Sequence, residues 1–361
     1  MKKVFVYAYD VGNLGDDLFV ETLVKRYPDV QFYMWSNENQ DSYKNLPRIK
    51  KINVDTGAIK FLEKIHLSLA ARLKNYYIER CDAIIYIGGS IFIEYPNWRD
   101  IQSWWKYWSE KSKFYVLGAN FGPYIDEEYR NSMESIFKNM EDVCFREKYS
   151  YDLFQSVDKI RYAPDILFGY PMPQTPKKKN KVFVSVINCR KKDEGSNKLW
   201  EYAEKYEKWL FDILKKYVDN NQEVILSSFC KVEGDEETAN VLYTRLKEYK
   251  KNCKIRKSYY TGENSEEILR EIASAEYVIA TRFHAMILGI SMGCYVLPVL
   301  YSNKTKNVLF DFGFKGEIVD IRKLESGKCV EMRYAKLSEA EINVLRIQSK
   351  KNFEKLDTFL A

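Results

Sequence analysis

Two residues, Arg282 and His284, carry the side chains best suited to chemistry in this chain of 361 residues. A guanidinium is a fixed fork of N–H donors that fits a carboxylate or a phosphate. An imidazole holds and releases a proton near neutral pH, and His284 is one of only two histidines in the chain. Side by side they suit an anion site with a proton donor. They fit a plainer reading too, with Arg282 a surface salt-bridge partner and His284 a satisfied, half-buried side chain. The local pattern says where they sit. An apolar strand runs from Tyr277 to Ala280, Thr281 and Arg282 form a polar turn, and an amphipathic helix starts near Phe283. In an open α/β sheet, ligands lie beyond the carboxyl ends of strands, where helix N-termini offer free N–H groups.

Other loops repeat this placement. An apolar strand, Val4 to Ala8, leads into Asp10-Val-Gly-Asn13-Leu-Gly-Asp16-Asp17, and Leu18 to Arg26 reads as a helix. Glycine there lets backbone approach a ligand closely, though the spacing is not the GxGxxG dinucleotide fingerprint. Asp16 or Asp17 serves as a helix cap as readily as a ligand contact. Further strands run into Gly88-Gly89-Ser90, into Gly118-Ala-Asn120-Phe-Gly-Pro-Tyr124, into Arg146 and into Pro164-Asp165. Strands alternating with helices imply a parallel, doubly wound sheet. Prolines and a lysine run at 171–181 mark a linker, after which the alternation starts again. The expected organisation is a Rossmann-like domain over 1–170, the linker 171–181, and a second Rossmann-like domain over 182–335. A closing helix over 336–361, opened by the capping box of Ser338 and Glu341, can pack back on the first domain. Two such domains facing one another make a cleft. Residues 12–17, 88–90, 118–124 and 146 would line it from the first domain, and 190, 281–284 and 303–306 from the second. Arg190, Arg282 and Lys304 make the second side cationic, which suits an anionic donor there and a neutral or mixed acceptor on the first.

Composition removes several function classes. The net charge of +6 is too diffuse for nucleic-acid binding, yet it suits anionic small molecules or a weak attraction to anionic lipid. Seven scattered cysteines without a CxxC pair read as buried free thiols of a reducing cytoplasm, with no disulfide framework and no metal site. No export signal opens the chain, and the uncharged run 285–301 is broken by Gly289, Ser291, Gly293 and Pro298, so it reads as interior. His66, on a helix predicted over 59–80, reads as packing. Aromatic residues crowd 95–108; Trp104 and Trp108 share a helical face and argue core, with a sugar platform or membrane-interface contact as the sharper alternative.

In their joint order, several stretches resemble the polysaccharide pyruvyl transferase family over residues 5–310. They are Gly12-Asn13-Leu14-Gly15-Asp16-Asp17, Tyr86-Ile-Gly-Gly-Ser90, Gly118-Ala-Asn120-Phe-Gly-Pro123, Phe145-Arg146-Glu147-Lys148-Tyr149-Ser150, Pro164-Asp165, Thr281-Arg282-Phe283-His284-Ala285, and Tyr301-Ser302-Asn303-Lys304. The resemblance implies a GT-B-like fold and transfer of pyruvate from phosphoenolpyruvate onto two hydroxyls of a sugar, as a cyclic ketal on a cell-surface glycan or its lipid-linked precursor. It implies that Arg282 and His284 contact phosphoenolpyruvate. An arginine after the first strand of the second domain is also used in the family. Arg190 is the candidate here, although Ile187-Asn188-Cys189-Arg190 departs from the usual strand-Leu-Arg order.

The chemistry of that reaction matches these residue types. Phosphoenolpyruvate carries a carboxylate and a phosphate, so it calls for Arg190, Arg282, Lys304 and a helix N-terminus. His284 would protonate the methylene carbon, Arg282 would orient the carboxylate, and Asp16 is the candidate base. Asn13, Asp17, Gly89, Ser90, Asn120 and Arg146 are the candidate acceptor contacts. No metal or cofactor is expected, only phosphoenolpyruvate as the donor. A cytoplasmic protein working at the inner membrane surface accommodates a lipid-linked acceptor. Two alternatives stay open: a nucleotide-sugar glycosyltransferase of the same architecture, and a non-catalytic glycan-binding protein that uses the aromatic face around Trp98 to Trp108.

Overall fold

A computed structural model describes residues 1–36, 42–53, 69–192, 198–324 and 332–361. His66 and Cys329 lie outside the described residues, as does most of the first half of the helix expected over 59–80; Leu69–Ile78 is helical. The chain divides into two compact units, the first comprising 1–11, 16–166 and 348–361, the second 12–15 and 167–347.

The first unit is built on seven parallel strands: β1 (Lys3–Tyr7), β2 (Gln31–Ser36), β3 (Ile49–Asn53), β4 (Ala83–Ile87), β5 (Phe114–Ala119), β6 (Asp142–Phe145) and β7 (Ile160–Tyr162). Their order is β3-β2-β1-β4-β5-β6-β7. Val6 pairs in register with Met34 on one side and Ile85 on the other. The central strands are continuous apolar runs because helices cover both faces of such a sheet, leaving no solvent side for polar alternation. β3 was not visible as a strand in the sequence: Ile-Lys-Lys-Ile-Asn is an edge strand with one lysine exposed, Lys50, and one partly buried, Lys51.

The tryptophan-rich stretch forms the helix Trp98–Lys111, which buries Trp98, Gln102, Trp105 and Trp108 on one face, the spacing a core-facing helix needs. Trp105 meets Phe92 edge to face at 5.2 Å, and Trp104 meets Tyr7 the same way at 4.6 Å. Most of this aromatic face is therefore core, and truncating one of these rings would cost about 3–5 kcal/mol.

The second unit carries six parallel strands: β8 (Lys181–Ser185), β9 (Glu223–Ser228), β10 (Ile255–Tyr259), β11 (Tyr277–Ala280), β12 (Tyr295–Leu300) and β13 (Val319–Asp320). Their order is β10-β9-β8-β11-β12-β13. Val184 of β8 stands opposite Leu226 and Ile279. In each sheet the connection reverses direction once, at β1/β4 and at β8/β11, and such a reversal opens a crevice at the strands' carboxyl ends. Among the described residues, no helix is long and apolar enough to cross a membrane.

Near the end of the chain the capping box forms: the Ser338 N–H and hydroxyl donate to Glu341 Oε2 at 2.7 and 2.6 Å, and the Glu341 N–H donates back to Ser338 Oγ at 3.3 Å. The helix Glu339–Ser349 passes through a tighter turn, Lys350–Phe353, into the helix Glu354–Leu360. From Gln348 onward this closing segment belongs to the first unit. Asp357 accepts from Arg26 Nε and Nη2 at 2.8 and 2.6 Å and from the Tyr27 hydroxyl at 2.7 Å, while Asn352 donates to the Pro164 carbonyl at 2.7 Å.

Candidate active site

At the β8/β11 reversal the turn after β11 is pinned to the end of β8. The Thr281 N–H donates to the Ser185 carbonyl and the Arg282 N–H to Ser185 Oγ, each at 3.2 Å. Arg282 stands at the cap position of the helix Phe283–Ser291, every residue of which is buried. A helix apolar all round is an interior helix, so its first turn is fixed on all sides.

The Arg282 side chain turns inward and is only 4% exposed. Its Nε donates to Asp235 Oδ2 at 2.8 Å, Nη2 donates to Asp235 Oδ1, and Nη1 donates to Glu233 Oε2. Three of the five guanidinium N–H groups thus meet carboxylates of the chain itself. Neither sequence expectation for Arg282, surface salt bridge or direct ligand fork, anticipated a buried three-bond clamp. Asp235 opens the helix Asp235–Tyr249 and is fully buried; its Oδ2 also accepts the Phe229 and Cys230 N–H groups at 3.1 and 3.0 Å. Glu233 takes a second cation, Lys192. Two cations and two carboxylates leave this cluster formally neutral.

Burial pushes the Asp235 carboxyl above the usual range, against the pull of Arg282. Burial acts the same way on Glu233, but Arg282 and Lys192 outweigh it and hold that carboxyl down at about 2. The Arg282 guanidinium is disfavoured by burial, yet Asp235 and Glu233 raise its affinity for the proton well above the ordinary value.

His284 is 9% exposed, with its ring edge-on to Phe283 at 5.3 Å. A segment far away in sequence meets it. Asn13 pairs with Cys230 in an antiparallel bridge, the Leu14 N–H donates to the Phe229 carbonyl at 3.0 Å, and the Gly15 N–H donates to Asn13 Oδ1 at 3.1 Å. The loop 229–235 therefore holds both Arg282 and the Asn13–Leu14 backbone. A side-chain carbon placed on Gly15 would lie 1.6 Å from His284 Nδ1 and 2.1 Å from its Cγ. Gly15 is glycine because the imidazole occupies the place of any side chain.

The remaining sequence candidates are scattered over several settings. The helix after β1 is Leu14–Arg26, so it begins four residues earlier than the sequence suggested, and its cap is Asn13. Asp16 and Asp17 fall inside the first turn, where negative charge suits the helix dipole. Asp17 accepts the Tyr43 hydroxyl at 2.6 Å and is 4% exposed; Asp16 Oδ1 lies 3.9 Å from where a Gly88 side chain would start. Arg190 is half exposed and pairs with Glu207. Lys304 belongs to a helix, Asn303–Asp311, where the sequence suggested a loop, and its ammonium lies 5.5 Å from the Tyr301 ring.

In the first unit, Arg146 and Asn120 come together beside Gly89. Arg146 Nη1 donates to Asp165 Oδ2 and Nη2 to Asn120 Oδ1, each at 2.9 Å, and all three residues are buried. A side chain on Gly89 would strike the Arg146 guanidinium at 2.2 Å; Ser90, next to it, is exposed.

Sequence reasoning missed Glu233, Asp235 and Lys192. A signal was there: Glu233-Gly-Asp235 follows the end of β9, where an acidic pair can answer cations on the loops after β8 and β11 of the same sheet. Among the described residues no group of three or more His, Cys, Asp or Glu is arranged to hold a metal ion. The described cysteines are all free, and burial pushes the Cys144, Cys189 and Cys230 thiols up to about 12, which keeps them protonated.

The sequence pattern of one family, polysaccharide pyruvyl transferase, matches residues 13–303. The chain belongs to this family. A curated relative, the amylovoran biosynthesis protein AmsJ of Erwinia amylovora, is 19% identical over 274 residues, which are 72% of this chain and 65% of that protein. The chain thus spans about 65% of the length of this curated relative. Among solved structures it is similar to HepE of Anabaena in complex with UDP and glucose, with a TM-score of 0.52 at 11% identity over 99% of this chain and 96% of that one. It is also similar to UDP-GlcNAc 2-epimerase of Methanocaldococcus jannaschii, with a TM-score of 0.54 at 12% identity over 96% and 99%. These likenesses establish the fold of this family member: two Rossmann-like units of the GT-B kind.

Proposed function

We propose that the chain is a ketal pyruvyltransferase, moving pyruvate from phosphoenolpyruvate onto two hydroxyls of a sugar in a cell-surface polysaccharide or its lipid-linked precursor. Family membership supports the reaction class. The observation that carries the assignment of roles is the seat of His284: an imidazole at a helix start, at the sheet's topological reversal, held against a glycine.

His284 protonates the methylene carbon of phosphoenolpyruvate, turning CH2 into CH3 while C2 becomes electron-poor. One sugar hydroxyl adds to C2 and gives up its proton, for which Asp16 is the proposed base. The second hydroxyl then displaces phosphate from C2 and gives up its own proton. The products are the cyclic ketal, still carrying the carboxylate, and inorganic phosphate. Arg282, with Arg190 and Lys304, is assigned to the donor's anionic groups; the buried clamp on Arg282 makes it first of all the residue that fixes the start of the His284 helix. Asn13, Asp17, Gly89, Ser90, Asn120 and Arg146 are the acceptor-side assignments. Tyr43 engages Asp17, and Asp165 engages Arg146, so these two are assigned to holding neighbouring side chains in place more than to meeting sugar. The work of the protein is proposed to lie in the cytoplasm, at the inner face of the membrane when the acceptor is lipid-linked.

The test is a thermal shift with phosphoenolpyruvate and with UDP-glucose, on the wild type and on His284→Ala. A ligand that binds the native state raises the melting temperature by mass action. Stabilisation by phosphoenolpyruvate supports the reading. Stabilisation by UDP-glucose alone would replace it with nucleotide-sugar glycosyl transfer.

A further inference from the structure

The two carboxylates on Arg282 are not equivalent. Asp235 is fully buried and is tied to the Phe229 and Cys230 backbone N–H groups as well as to two guanidinium nitrogens. Glu233 sits on the surface turn that precedes the helix Asp235–Tyr249, next to Val232, which is 53% exposed. Its Oε2 bridges Arg282 Nη1 and Lys192 Nζ, with 11% of the side chain still accessible. A carboxylate gripped by a guanidinium and an ammonium, at the carboxyl edge of the sheet and at its reversal, has the surroundings a small carboxylate ligand would need.

Resting on the pyruvyl-transfer reading, we infer that Glu233 is an internal competitor of the donor: its carboxylate holds the Arg282 and Lys192 N–H groups that the carboxylate of phosphoenolpyruvate takes over when it binds. Asp235 stays in place during the exchange and keeps the guanidinium aimed. Swapping one carboxylate for another keeps a negative partner on both cations, so neither Arg282 nor Lys192 is left unpaired. The device also selects: a ligand without an anionic group cannot displace Glu233 without uncovering the buried guanidinium of Arg282. It sets the donor's affinity as well, because apparent affinity equals the intrinsic affinity multiplied by the fraction of molecules in which the cations are released.

Two substitutions remove the same unit of charge from the same guanidinium, and the inference requires them to act in opposite directions. Glu233→Gln weakens the competitor, so the full-length protein should bind phosphoenolpyruvate roughly tenfold more tightly by calorimetry. In turnover, KM should fall while kcat holds. Asp235→Asn loosens the aim of Arg282 and should weaken binding. Glu233→Asp, one methylene shorter, keeps the charge and should tighten binding part-way, which covers the case of a poorly folding Glu233→Gln. Phosphoenolpyruvate binding to the wild type that is unchanged or weaker in both Glu233 variants overturns the inference and leaves pyruvyl transfer standing. No phosphoenolpyruvate binding by the wild type, with binding of UDP-glucose, overturns both.

Discussion

Replacing Gly15 by alanine tests whether His284 does chemistry where the structure holds it. The new methyl carbon would start 1.6 Å from His284 Nδ1, so the ring must withdraw by about 2 Å to restore an ordinary carbon contact. A displacement of about 1 Å can cost on the order of 100-fold in rate, and loss of a general acid costs about 100- to 10,000-fold. Turnover of Gly15→Ala should therefore fall at least roughly 100-fold, about 2.7 kcal/mol of transition-state stabilisation. Stability should behave differently. Position 15 lies in the first turn of a helix, where alanine is favoured over glycine by up to about 1 kcal/mol, which offsets part of the clash. The assay is steady-state release of phosphate from phosphoenolpyruvate in the presence of acceptor, alongside thermal unfolding of Gly15→Ala, His284→Ala and the double variant. In the double variant the clash is gone while the helix preference remains, so it should be more stable than the two single changes predict by addition. Wild-type turnover in Gly15→Ala, or strictly additive stabilities, would refute the reasoning.

His284→Ala alone should abolish turnover while phosphoenolpyruvate still raises the melting temperature, because the anion-binding groups remain. Arg282→Ala leaves Asp235 buried and unpaired, which should cost about 3–5 kcal/mol and lower the unfolding midpoint by roughly 10 °C. Glu233 has its folded-state carboxyl held down at about 2 against an ordinary 4.5. Its contribution of about 3 kcal/mol is thus present above pH 4.5 and lost as pH falls toward 2; acid unfolding of the wild type should be steeper through that window than that of Glu233→Gln. Gly89→Ala should destabilise the first unit by about 3 kcal/mol, since the guanidinium of Arg146 must leave Asp165 or Asn120 to make room.

Much of the architecture is legible in the sequence. Tyr277–Ala280 and Tyr295–Leu300 are unbroken apolar runs, and a strand covered on both faces can be little else. Elements that escaped have weak patterns for physical reasons. β3 carries two lysines among five residues because it lies at a sheet edge. The helix Asn303–Asp311 opens with Asn-Lys-Thr-Lys-Asn and buries only Thr305, Val308 and Leu309, so its periodicity is too short to register. At the site, Arg282 and His284 stood out by residue type and by following a strand. Their partners did not. Asp235 lies 47 positions from Arg282, and Gly15 lies further still from His284; only the sheet order brings them together. The first unit's Arg146 was noticed for its place after β6, whereas its glycine neighbour is explained only by the flat guanidinium lying against it.

The pairing of Gly12–Gly15 with the second unit has a consequence for how the protein is made. Those four residues leave the ribosome well ahead of their partners: Phe229, Cys230 and His284 emerge more than two hundred residues later. At ordinary rates of synthesis the wait from Gly15 to His284 is roughly 15–50 s. During that interval the first sheet can assemble around β1 while the stretch just after it stays unpaired, and the strap Gln348–Ala361 arrives later still. Neither unit is finished by the time its own strands have been translated. A nascent chain halted between Ser228 and His284 would own every strand of the first sheet, yet its Gly15 would still await the imidazole it makes room for.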